Sequence, residues 1–120
     1  MTASKPRNTV LVVSKDPELA DVRKKVLEDA GFEVIPVGDL KTLQEACEKY
    51  QISLVMIGYS LPPSEKRRVW DMARDICKAP ILELYENGEP ELVESHALFV
   101  HESRTPEDFL AAVLKILNAK

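Results

Sequence analysis

The sequence predicts an α/β domain built on a parallel sheet. Short apolar, β-branched runs recur along the chain, segments of helical period separate them, and Gly, Pro or a capping residue marks most of the changes between the two. "TVLVV" (9–13) is a continuous apolar run, as expected of a strand covered on both faces. The segment after it, "KDPELADVRKKVLEDAG", places Asp16 as N-cap, Pro17 at the first helical position and Gly31 as the stop. Leu19, Val22, Val26 and Leu27 are read as its inward stripe. "FEVIPV" (32–37) is a second strand, and Pro36, which cannot donate to a ladder, assigns it to an edge. Asp39 caps a helix over "LKTLQEACEKY" with Leu40, Leu43 and Cys47 inward. "SLVMI" is a third strand, "SEKRRVWDMARDICK" a third helix, "APILELY" a fourth strand and "ALFV" a fifth. Thr105-Pro106 then opens the last helix, "EDFLAAVLKILNA". Strands alternating with helices imply right-handed crossovers.

At 120 residues, 45% apolar and 30% charged, the chain is expected to form one domain over 9–120, behind a flexible segment over 1–8. A net charge of -4 with both signs interspersed gives no electrostatic case for nucleic acid or an anionic membrane. No apolar run approaches the roughly 20 residues that cross a bilayer. "MTASKPRN" lacks the apolar segment of a secretory signal, so a cytoplasmic location is expected. Cys47 and Cys77 read as separate small buried hydrophobes in a reducing compartment, with a disulfide as the minor reading.

In parallel sheets function collects at the carboxyl ends of the strands. The residues to weigh are therefore Ser14 and Lys15 after strand one, Gly58 after strand three, Tyr85 after strand four and Glu102 after strand five. Around them, "VLVVSKDPEL", "SLVMIGYSLPP", "APILELY" and "LFVHESRTPEDFLAAV" occur in an order and spacing similar to those of the receiver domain of two-component response regulators. The resemblance covers about residues 8–118. It implies a flavodoxin-like, CheY-like, doubly wound sheet of five parallel strands in the order 2-1-3-4-5, with helices on both faces.

That family's chemistry uses two acids to hold Mg²⁺, an aspartate to accept a phosphoryl group, and a hydroxyl and a lysine to bind its oxygens. Matched position by position, the resemblance puts Ser14 and Lys15 where the acids belong and Gly58 where the acceptor belongs. Tyr85 replaces the small hydroxyl residue, Glu102 the lysine and Ser103 the proline after it. Phe99 occupies the aromatic position that reports phosphorylation. The resemblance thus implies a degenerate receiver in bacterial signalling, not an enzyme. It would use no metal or cofactor and would work by protein contacts with a kinase or output domain, or as a homodimer. Two rival readings stand beside it. One is a phosphorelay receiver with a displaced acceptor at Ser14, Tyr59 or Ser60; the other is a small-ligand binder reusing the pocket.

Lys15 reads either as a solvated loop cation or as the partner of Glu102, over the carboxyl end of the sheet. Asp16 is explained by capping alone. Glu83, inside an apolar strand, needs a partner or it protonates, and it is expected to lie near the strand end and reach water or a lysine. Lys66, Arg67 and Arg68 beside Trp70 read as a solvated helix face, with a small contact patch as the alternative. His96 and His101 bracket strand five and share no helical face, so a metal site with Cys77 has no spacing in its favour. From Tyr85 to Glu102 the chain advances only 17 positions. "ENGEPELVESHA" therefore leaves room for a helix of about two turns, starting near Glu89 and packing Leu92 and Val93 on the sheet. The face formed by this short helix, strand five and residues 106–117, with Leu92, Phe99, Phe109 and Val113, is the expected partner or homodimer interface.

Overall fold

The computed structural model describes residues 8–15, 17–58, 61–85, 96–99 and 106–118. Residues 1–7 of the flexible segment expected over 1–8, the Asp16 cap, Tyr59 and Ser60, the short helix with Leu92, and His101, Glu102 and Ser103 lie outside the described residues. In chain order the elements are β1 (Thr9–Val13), α1 (Pro17–Asp29), β2 (Glu33–Val37), α2 (Leu40–Lys49), β3 (Leu54–Ile57) and α3 (Pro63–Met72). A π-helical turn over Ala73–Cys77 prolongs α3, followed by β4 (Ile81–Tyr85), β5 (His96–Phe99) and α4 (Pro106–Asn118). The strands pair in parallel in the order β2-β1-β3-β4-β5. Val13 is opposite Ile57, Ile57 opposite Glu83, and Tyr85 opposite Phe99.

Alternating strand residues feed two cores, one on each face of the sheet. Leu11, Val13, Val55, Ile57 and Ile81 pack with Leu43, Ala46, Val69 and Ala73, which belong to α2, α3 and the π turn. Val10, Val12, Leu54, Met56, Leu82 and Leu84 pack with Leu27 of α1 and Val113 of α4. Every residue of β1 is buried, which is what its unbroken apolar run requires. Pro36 does lie on an edge, since β2 pairs only with β1. Asp39 caps α2, accepting from the Thr42 amide at 2.8 Å and the Thr42 hydroxyl at 2.6 Å. Gly31, at φ 97°, closes α1 in the left-handed region open to glycine.

Four local expectations are corrected. Val22 is 62% exposed, because the face of α1 turned inward runs through Arg23, Val26 and Leu27. The third helix does not stay α-helical to its end: the Lys78 amide donates to the Ala73 carbonyl five residues back, and Lys78 then turns left-handed at φ 56°. Cys47 and Cys77 are bonded to each other, with their Cα atoms 4.8 Å apart. The cysteines read as separate hydrophobes are thus one crosslink, and Cys77 is not available to a metal site with the histidines. Val113 is fully buried in the core beneath α4, and Phe109 packs at its margin. Val113 therefore cannot contribute to a docking surface; among the described residues of α4 the exposed large apolar one is Leu114. Among the described residues no helix is long and apolar enough to cross a membrane.

Candidate functional site

The site forms where β1 and β3 end side by side. The Gly58 amide donates to the Val13 carbonyl at 2.8 Å, which continues the β1–β3 ladder by one step and sets Gly58 next to Ser14. A Cβ placed on Gly58 would lie 3.2 Å from the Val13 carbonyl oxygen, 3.3 Å from an Arg23 guanidinium nitrogen and 3.4 Å from Ser14 Oγ. A guanidinium carried by α1 therefore borders the β3 terminus, together with the Val13 carbonyl and the Ser14 hydroxyl. Arg23 escaped the sequence reading, although it precedes Leu27 by one helical turn and so shares its face.

Lys15 follows Ser14 on the loop above β1. The partner that the structure places beside it is Glu65 of α3, at 3.5 Å, with both side chains close to half exposed. Glu102, the partner expected from sequence, is outside the described residues. Lys15→Met should change the unfolding free energy by less than roughly 1 kcal/mol, since an exposed pair gains little beyond its entropy loss. Urea titrations at low and high salt check this, and the difference should shrink as salt rises. The charge of Lys15 also acts on the Asp39 cap. The Asp39 carboxyl is held below its ordinary value of 3.8, chiefly by its hydrogen bonds from Thr42 and to a smaller extent by Lys15. The cap is at full strength above that value and is lost as pH falls through the lowered one.

The second group is buried. Glu83, on the α2–α3 side of β4, is 0% exposed and receives the Lys66 ammonium at 2.9 Å. Lys66 Nζ also donates to the Leu84 carbonyl at 3.3 Å. The expectation that Glu83 has a partner holds, and the solvated reading of Lys66 is corrected: Lys66 is 4% exposed. The signal was present in the spacing, because Lys66, Val69 and Ala73 fall at i, i+3 and i+7 on the buried stripe of α3. Arg67 and Arg68 are exposed, as expected. Trp70 is half-buried, with the Arg67 and Arg74 guanidinium carbons 5.2 and 4.5 Å from its ring centroid.

Tyr85 closes β4 opposite Phe99, so the residue at the hydroxyl position does lie at the carboxyl end of the sheet with Ser14, Lys15 and Gly58. A divalent cation does not fit the described part of this site. Positions 14, 15 and 58 carry no carboxylate, and the Arg23 guanidinium holds the adjoining space.

No family model matches the sequence and no curated protein matches it. Solved structures do. The chemotaxis protein CheY4 of Vibrio cholerae is 21% identical, with 92% of this chain and 99% of that chain covered at a TM-score of 0.72. A response regulator receiver protein from Sinorhizobium medicae is 24% identical over 94% of this chain and 96% of its own, TM-score 0.75. A CheY-like receiver domain protein from Methanospirillum hungatei is 16% identical over 95% and 96%, TM-score 0.76. At these identities the likeness speaks for architecture and leaves the chemistry to the residues present. The chain has the CheY-like, flavodoxin-type fold of response-regulator receiver domains.

Proposed function

We propose that this protein is a degenerate receiver of bacterial two-component signalling that acts through protein contacts without being phosphorylated. The observation that carries the reading is the end of β3: glycine stands where the resembling family has its acceptor aspartate, and an Arg23 guanidinium nitrogen lies 3.3 Å from where a Cβ would be. Glycine has no atom to receive a phosphoryl group. The neighbouring Ser14 and Lys15 supply no carboxylate for the Mg²⁺ that would offset phosphoryl charge. In this reading the Lys15–Glu65 pair ties the β1 loop to α3, and the output is a fixed surface rather than a switched one. Its partners are a kinase or output domain in the cytoplasm, or a second copy of the chain. The docking face includes α4, where Phe109 and Leu114 provide apolar contact.

The test is exposure of the protein to a small acyl phosphate with Mg²⁺, followed by intact mass and fragmentation. The expected result is an unmodified chain. A stable phosphoryl adduct on Ser14, Tyr59 or Ser60 would replace this reading with that of a receiver using a displaced acceptor. For the docking face, Leu114→Glu is expected to weaken partner capture or self-association while leaving the fold intact, because Leu114 is already 44% exposed.

A further inference from the structure

We propose that Cys47 and Cys77 are a reversible dithiol–disulfide pair, oxidised by exchange with a low-molecular-weight disulfide of the glutathione class, and that their state sets the conformation of the end of α3. This goes beyond the reading above and is independent of it, since the pair lies away from the Ser14–Gly58 site. α2 and α3 both start near the carboxyl ends of the strands and run back, so Cys47 and Cys77, late in their elements, meet near the amino ends.

The crosslink joins residues 30 positions apart in sequence. Their Cα separation of 4.8 Å lies inside the range a disulfide spans without backbone movement. Cys47 is buried beside Leu43 and Ala46, whereas Cys77 is half-buried at the margin of the same core. The chain departs from regular helix where Cys77 must reach α2: residues 73–77 form the π turn, and Lys78 takes a left-handed conformation that disfavours a side chain. Without the crosslink, nothing covalent holds that turn to α2. At its other end α3 is fastened independently by Lys66 on Glu83. Oxidation therefore adds a second anchor to a helix that already has one.

The chemistry balances with one oxidant. The Cys77 thiolate, the more accessible, attacks a sulfur of the small disulfide; that S–S bond breaks, a mixed disulfide forms, and the first small thiolate leaves and takes up a proton. The Cys47 thiolate then attacks the Cys77 sulfur, forming the protein disulfide and releasing the second small thiolate, which is protonated in turn. Two protein thiols lose two electrons and two protons, and the oxidant is reduced to two thiols.

Trp70, the only tryptophan, reports the change. The Arg74 guanidinium against its ring comes from the π turn itself, so a turn that relaxes on reduction moves that cation relative to the indole. The experiment equilibrates the full chain in buffers of varied reduced-to-oxidised glutathione ratio, traps thiols with acid and alkylation, and reads intact mass alongside tryptophan fluorescence. The expected result is full conversion between dithiol and intramolecular disulfide within the accessible ratios, independent of protein concentration, with fluorescence following at the same midpoint. Cys47→Ser is expected to stop at the mixed disulfide on Cys77 and to lose the fluorescence transition. A disulfide that persists in excess reduced glutathione, a dithiol that persists in excess oxidised glutathione, or conversion without a fluorescence change would each overturn the proposal. The wild-type titration decides the matter alone if the serine variant does not fold.

Discussion

Glu83→Leu should lower the unfolding free energy by roughly 3–5 kcal/mol, the largest loss expected from removing any single charge among the described residues. The substitution removes the carboxylate from a Lys66 ammonium that is 4% exposed and that also donates to the Leu84 carbonyl. Lys66→Met should have a loss of similar size, since it takes the ammonium at 2.9 Å away from a carboxylate that is 0% exposed. Against a total of about 5–15 kcal/mol for a domain of this size, either change would bring the fold close to its limit. The double variant Lys66→Met with Glu83→Leu should be more stable than either single one, because it removes both desolvated charges and fills their volume with apolar atoms. Urea denaturation of the four proteins closes the cycle. If the double variant loses as much as the two singles added together, the pair is not coupled and this account of the α3 anchor fails.

Gly58→Asp should not make the protein a phosphoryl acceptor. The new Cβ would sit 3.3 Å from an Arg23 guanidinium nitrogen, so the carboxylate would meet a fixed cation and be held as an ion pair rather than offered to phosphorus. With Ser14 and Lys15 beside it, no metal would be bound to screen the phosphoryl oxygens. By the family resemblance, acceptance also needs Ser14→Asp, Lys15→Asp and Glu102→Lys. The structure adds Arg23→Leu, which clears the guanidinium from the site and suits the apolar face that Arg23 shares with Leu27. Intact mass after treatment with a small acyl phosphate and Mg²⁺ should show no adduct on the single variant and a substantial one on the fivefold variant. An adduct on Gly58→Asp alone would mean that Arg23 yields and that the pocket needs only its nucleophile restored.

What the sequence determined by itself was the scaffold. The unbroken apolar run of β1, the edge proline in β2, the Asp39 cap and the Gly31 stop are each specified within a few neighbouring residues, because turn geometry, capping and apolar period are local properties. The parallel α/β class follows from their alternation, and Ser14, Lys15, Gly58 and Tyr85 fall at strand ends once that class is known. Only the tertiary structure decided what surrounds those ends. Arg23 and Lys66 look like ordinary solvated cations, because a charged residue on a helix is buried only when a counter-charge or acceptor arrives from elsewhere, and for Lys66 it arrives from β4, 17 positions on. The Cys47–Cys77 crosslink, the π turn at the end of α3 and the choice of Glu65 as partner to Lys15 are of the same kind. Each depends on the angle and register at which two helices lie over one sheet, and that is set by packing the whole core rather than by any segment of the chain.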